Sequence, residues 1–283
     1  MTNPILDFNY KMERAALEIL LYPMAKISDA LTERIEADRK LYVNITLYAK
    51  FVLTAYSLSK LLPVGDTPKK NAAADIASIA SLGRNMIEIY NFFYYLDMDD
   101  ISSEEANFRL LVADYHYRHE MQKVGEKMEF DKEEVDKHKE TALKDYRAKI
   151  EGHQFFKKIP PEIRKTILKG DRAAYISRTE ITRKYCSNVN QLDAHYKILS
   201  NHVHSGVYGL RTSFDGSTYG CDNEKNRGRI AGILFIVNYY VGMAASSILM
   251  RFPENTNDIT KYFQNKEEFL KASKIITKLI MRF

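Results

Sequence analysis

The sequence predicts an all-α protein, a helical bundle carrying a charged helical protrusion. Three observations lead there. Apolar residues recur at three- and four-residue intervals along most of the chain, while alternating apolar and polar runs are scarce. Helix breakers are few, with 7 Pro and 12 Gly among 283 residues. Lys, Glu, Leu, Ile and Ala abound, and these side chains lose little conformational freedom in a helix. With 45% hydrophobic and 28% charged residues, the chain has the composition of a globular protein long enough to bury a sizeable core.

The elements follow in order. A first helix is expected over about 4–36, with Pro4 in its first turn, where the missing N–H costs nothing. A second covers about 38–62 and sets Leu41, Ile45, Tyr48, Val52 and Tyr56 on one face. The breaker-rich stretch from Leu62 and Pro63 to Pro68 reads as a loop. A third helix spans about 71–96, and its small residues (Ala72, Ala73, Ala74, Ala77, Ala80, Gly83) let neighbouring helices approach closely. Asp99 to Ser103 offers an N-cap for a fourth, with Glu104 and Glu105 suited to the positive end of its dipole. From about 123 to 149 the chain is strongly charged and poor in large apolar residues, which predicts the solvated protrusion.

Beyond the protrusion, Ile159-Pro160-Pro161 opens a short helix, since Pro is tolerated in a first turn. A helix over about 189–204 precedes a loop over 205–223, in which Gly206, Gly209, Gly216 and Gly220 stand among Tyr208, Phe214 and Tyr219. An apolar helix begins near Gly228, and an amphipathic one follows Asn255. These breaks divide the chain into N-terminal helices (1–70), a helical core (71–254) with a charged insertion at about 123–158, and a C-terminal helix (255–283).

Several function classes are excluded. No Walker or dinucleotide fingerprint and no Gly-x-Ser-x-Gly elbow is present, so no cofactor is expected. His202 and His204 point to different sides of a helix, and His195 with His202 lacks a third ligand, so no metal is expected either. Cys186 and Cys221 stand alone, as free thiols do in a reducing cytoplasm. The N-terminal residues carry no basic region followed by an apolar run, and a cytoplasmic location is expected. Ile230 to Met250 is uncharged and within the roughly 17–25 residues of a membrane span. It holds Asn238, Tyr239, Tyr240, Ser246 and Ser247, however, and Arg227, Arg229 and Arg251 flank both ends without orientation bias. A buried core helix is the expectation.

Two polar signatures interrupt the apolar stripes. Arg84 and Glu88 are one helical turn apart, and Tyr196, Ser200 and His204 repeat that step on a later helix, beside Asn201 and His202. Polar groups on core-facing stripes cost free energy unless satisfied, so packing of the two helices would gather them into one buried cluster. That cluster is either a site or a network that fixes packing register. A second feature is basic. Lys157, Lys158, Arg164, Lys165, Lys169, Arg172, Arg178, Arg183 and Lys184 outnumber Glu162, Asp171 and Glu180, with Tyr175 and Tyr185 available to stack on bases. The alternative is a solvated basic face. The net charge of +5 does not by itself select a nucleic-acid partner.

The Arg84-x3-Glu88 pair, Arg109 early in the next helix and Tyr196-x2-Leu199-Ser200-x2-Val203-His204 together resemble an uncharacterised family of bacterial helical proteins, a domain of unknown function, over about 71–250. That family resembles the HEPN-like helical domains of toxin–antitoxin, abortive-infection and CRISPR-associated ribonucleases. Active members of that group carry Arg-Asn-x3-His or a related spacing, and two domains usually pair. The resemblance therefore implies a dimer, RNA as ligand, and metal-free cleavage with a His as acid or base beside a cation on the phosphate. The chain departs from the pattern. Ser200 stands where the Arg is expected, and His204 falls one residue short of the spacing. Arg109 and His116 fit an Arg-x6-His spacing, but Leu110 replaces the polar residue. Three readings follow: an RNA-binding HEPN-like protein of defence or toxin type, with or without metal-free cleavage of its ligand, a non-catalytic module acting through a partner protein or homodimer, and a membrane-associated effector inserting 230–250.

Overall fold

Helix formation follows the apolar spacing almost throughout. The computed structural model describes residues 9–32, 39–128, 139–203, 220–251 and 266–283, with residues 131, 133, 136 and 137 between the second and third of these spans. The described residues contain α-helices, two π-helical turns and no strand beyond one isolated bridge between Ala73 and Cys221. The protein is an all-α helical bundle.

The described residues of 1–93 and 185–283 pack together as one unit, and residues 94–184 form a second. In the first unit the helices are α1 (Tyr10–Thr32), α2 (Arg39–Lys60) and α3 (Ile76–Phe93). The second unit contains α4 (Ser103–Lys127), α5 (Lys144–Gly152), α6 (Gln154–Lys158), α7 (Pro161–Leu168) and α8 (Arg178–Arg183). The chain then returns to the first unit with α9 (Val189–Val203), α10 (Glu224–Arg251) and α11 (Lys266–Ile280).

Helix α10 is the centre of the first unit and packs against α1, α3, α9 and α11. It is apolar enough to cross a membrane by length and composition, yet 72% of its most apolar stretch is buried against the rest of the protein. Its Asn238 amide nitrogen is satisfied inside the unit, while the buried Oδ1 has no hydrogen-bond partner among the described residues. Asn238 donates to the Glu13 backbone oxygen (2.8 Å) and to Glu13 Oε2 (2.7 Å), and Arg282 Nη2 pairs with Glu13 Oε1 at 2.9 Å. The small-residue face of α3 meets α10 closely: a Cβ on Gly83 would lie 3.0 Å from Val237 Cγ2. The abundant tyrosines act here as large apolar bodies with satisfied hydroxyls. Tyr90 shares a hydrogen bond with Ser247 (3.2 Å), and Tyr185 donates to Asn91 Oδ1 (3.0 Å) beside Tyr240.

The second unit is built on α4. Ser102 caps it, accepting from the Glu105 N–H at 3.2 Å, with Glu104 and Glu105 in the first turn. Phe108, Val112 and Tyr115 on its inner face bury Leu143, Ile150, Phe156, Ile159 and Ile167. The charged stretch therefore contributes to a core at Leu143 and Ile150, while Lys144, Asp145, Arg147, Lys149 and Glu151 stay exposed. Pro161 begins α7, as the Pro pair predicts, and Ser177 with Glu180 forms a capping box for α8. Gly170 takes a left-handed φ of +69°, and a Cβ there would lie 2.2 Å from the His119 ring.

Gly170→Ala combines a disfavoured backbone with that collision and should cost about 2 kcal/mol or more. Gly152→Ala meets nothing within 4 Å and should be neutral or slightly stabilising. Urea unfolding of both variants, followed by far-UV circular dichroism, checks the contrast.

Candidate functional site

Helices α3 and α9 pack side by side, and this places the two polar signatures together. Arg84 Nε donates to the Tyr196 hydroxyl at 3.1 Å, and Tyr196 donates in turn to Glu88 in a short hydrogen bond. The Arg84 guanidinium also lies over the Tyr196 ring, 5.4 Å from its centre, and 3.9 Å from Glu88 Oε1. The cluster sits at the margin of the unit rather than deep within it, since the Glu88 side chain is 44% exposed. Ser200 lies one turn beyond Tyr196, with its Oγ buried and without a hydrogen-bond partner among the described residues. Asn201 and His202 are half-buried, and burial, helped by the charge of Arg229, holds the His202 imidazole below its ordinary pKa. His204 and most of the Gly-rich loop lie outside the described residues.

Arg109 is placed differently. Its side chain is 1% exposed, and every face of the guanidinium is used. Nε and Nη2 donate to Glu105 at 3.2 and 2.7 Å, Nη1 donates to the Tyr95 backbone oxygen at 2.6 Å, and Nη2 pairs with Asp99 Oδ2 at 2.7 Å. The Tyr95 ring stacks beneath it at 4.3 Å, and Tyr175 donates to Glu105 beside it. Burial would lower the Arg109 pKa, but hydrogen bonds with Glu105 and Asp99 raise it above the ordinary value, so the cation is secure. Burial, then the bond to Glu105, pushes the Tyr175 hydroxyl up to about 12. His116 lies about two helical turns along α4 and binds the Gly170 backbone oxygen through Nδ1 at 2.7 Å. Each residue thus has its own set of partners, and the two share none.

The basic segment divides as well. Lys184 pairs with Asp99 at 2.8 Å, and Arg178 begins α8 half-buried. Arg183 is exposed at the end of that helix. Around α6 and α7, by contrast, no carboxylate among the described residues forms an ion pair with Lys157, Lys158, Arg164, Lys165, Lys169 or Arg172. Arg164, Lys165 and Lys169 line an open groove of about 440 Å³ with Arg147, Phe156 and Pro161. Lys158 lies over the Phe155 ring at 4.6 Å and Arg164 over Phe156 at 5.8 Å. Such a groove suits a phosphate chain with planar groups attached.

Residues 41–222 match the profile of a family of unknown function, DUF5677. The chain belongs to that family. No curated protein and no solved structure gives a significant match. The DUF5677 span runs from α2 to the residues just before α10, so it takes in α3, α9 and the whole second unit. Both candidate surfaces fall inside it. The central helix α10 falls outside it, so the matched span of this DUF5677 protein relies on residues beyond it to close its core.

Two polar centres were not foreseen from the sequence. Arg227, noted above only as a flank of the apolar stretch, is 2% exposed and pairs with Asp222 Oδ1 at 2.6 Å while donating to the Gly65 backbone oxygen at 2.8 Å. Glu13, with Asn238 and Arg282, joins the two ends of the described chain. The Glu13 partners are up to 269 residues apart, and although Asp222 is only five residues from Arg227, the backbone oxygen of Gly65 that completes its site lies 162 residues away. Among the described residues no group of three His, Cys, Asp or Glu side chains could hold a metal ion, and Cys186 (buried) and Cys221 (exposed) are free thiols.

Arg109→Met strands two carboxylates and should destabilise the protein by about 3–5 kcal/mol. Arg84→Met removes a half-exposed pair and should cost about 1 kcal/mol or less. Urea titration of the two variants beside wild type, read by circular dichroism, tests this ranking.

Proposed function

We propose that this protein binds single-stranded RNA on the α6–α7 face of residues 94–184. The observation that carries the reading is the contrast in how arginines and lysines are neutralised. Arg109, Arg227 and Arg282, all buried or nearly so, have carboxylate partners. The six cations from Lys157 to Arg172 have no such partner among the described residues, and three of them, Arg164, Lys165 and Lys169, line an open groove. Cations held together without ion-pair partners favour a polyanion, and the partly buried Phe155 ring beside Lys158 is the aromatic surface nearest to them. RNA is chosen over other polyanions because of the motif resemblance to HEPN-like ribonucleases, which also extends the proposal to a role in bacterial defence.

The test is fluorescence anisotropy with a labelled oligoribonucleotide across salt concentrations. With about four phosphates contacted, affinity should fall roughly 50-fold between 50 and 200 mM salt. Removing three contacts with R164Q/K165Q/K169Q should reduce the logarithmic salt slope by about two. Equal affinity and slope in the variant would overturn the reading.

A second reading adds cleavage at the α3–α9 cluster. It draws support from the partial exposure of Glu88 and from the unpartnered Ser200 Oγ, since a purely structural network would be sealed and fully paired. The available chemistry is an Arg84 cation for the phosphate and, from the adjoining residues, His204 as acid or base. The test is incubation of wild type, His204→Ala and Tyr196→Phe with total and transfer RNA in the presence of EDTA. Chelation-resistant cleavage that His204→Ala abolishes supports it. Intact RNA with folded wild type removes it and leaves the cluster a structural one.

A further inference from the structure

Helix α4 turns one face to the second unit's core and leaves another uncovered. Phe108, Val112 and Tyr115 are buried, and His119 packs on Tyr115 and against Gly170. On the outer side stand Tyr117, Met121, Val124 and Met128, which are 63%, 44%, 40% and 64% exposed. Their steps are four, three and four residues, the a/d spacing of a two-helix seam. Scattered surface apolar residues need no explanation, but an ordered stripe of large ones on a helix does.

From this seam we infer that a second copy of the chain docks on α4, the two helices running antiparallel. Charge selects that occupant and that direction. In an antiparallel pair centred between Met121 and Val124, each Met121 faces Val124 of the other copy, and each Tyr117 faces Met128, a favourable sulfur–aromatic contact. The flanking Glu120 then meets Lys127 of the other copy, and twofold symmetry makes that pair twice. On the other flank Arg118 faces Gly125, so no like charges meet. In a parallel pair Glu120 would face Gly125 instead, and the attraction would be lost.

The flanking side chains are also free to take part. Glu120 pairs with Lys123 at 2.9 Å, but both are about half exposed, so exchanging that contact costs little. Arg118 is drawn aside over the Tyr146 ring at 4.6 Å, away from the seam. The pairing uses neither the α6–α7 face nor the α3–α9 cluster, and it stands independently of the RNA reading.

Sedimentation velocity of the full chain, over about 1–100 µM at low salt where exposed pairs are least screened, tests the inference. Wild type should self-associate reversibly. Met121→Glu should weaken association about tenfold or more, by placing charge in the apolar seam. Glu120→Lys should weaken it about tenfold by setting Lys against Lys127, and the exchange E120K/K127E should restore it. A monomer across the whole range overturns the inference. So does a dimer that Met121→Glu leaves unchanged, or one that the exchanged pair fails to restore while circular dichroism shows the fold intact.

Discussion

The burial of α10 is the constraint on which the first unit depends. A helix with apolar residues on every side must be surrounded, and here the surrounding helices come from both halves of the chain. Helix α3 can approach because Gly83 presents no side chain to Val237 and Ile233. Helix α1 is tied to α10 and to the residues that follow α11 by Glu13, which accepts from both Asn238 and Arg282. A buried carboxylate would be costly alone, but two donors on different elements offset its desolvation and fix how those elements meet. Residues 94–184 are an insertion in sequence between α3 and α9, with an apolar core of their own.

Charge is used in two ways. Where an arginine is buried, its guanidinium is enclosed by carboxylates and backbone oxygens, as at Arg109 with Asp99, Glu105 and Tyr95, or Arg227 with Asp222 and Gly65. Such cations have no capacity left for a ligand. The cations of α6 and α7 retain theirs, and they lie beside Phe155 and Phe156 on a surface that water reaches. This separates structural from available charge more sharply than residue type or spacing does. By spacing alone Arg109 and His116 were a candidate ribonuclease pair, yet Arg109 is committed to its own network.

The α3–α9 cluster illustrates how far a stripe of polar residues can be read. One-turn spacing on two helices was enough to anticipate that Arg84, Glu88 and Tyr196 share a face, and α3 and α9 do bring them into contact. The depth of the cluster was not legible. A polar stripe looks the same whether a third helix covers it or solvent does, and here Glu88 reaches solvent. At the end of the charged stretch, Leu143 and the adjoining Ile150 are seven residues apart, on one helical face, but two apolar residues among many charges do not announce a core, and only packing against α4 buries them.

By itself the sequence determined the helical class, the limits of α2, the start of α9, a cap for α4 within residues 99–103, the Pro161 start and the buried character of α10. All of these rest on interactions within a few residues or on local apolar periodicity. The tertiary structure alone decided the partners of Glu13, the Val64 and Gly65 backbone oxygens that receive Arg227, the burial of Arg109, the division of the basic residues into paired and unpaired sets, and the stripe on α4 that stays uncovered. Those outcomes depend on which distant segments supply counter-charge, hydrogen bonds or cover, and a local pattern carries no record of contacts made across more than a hundred residues.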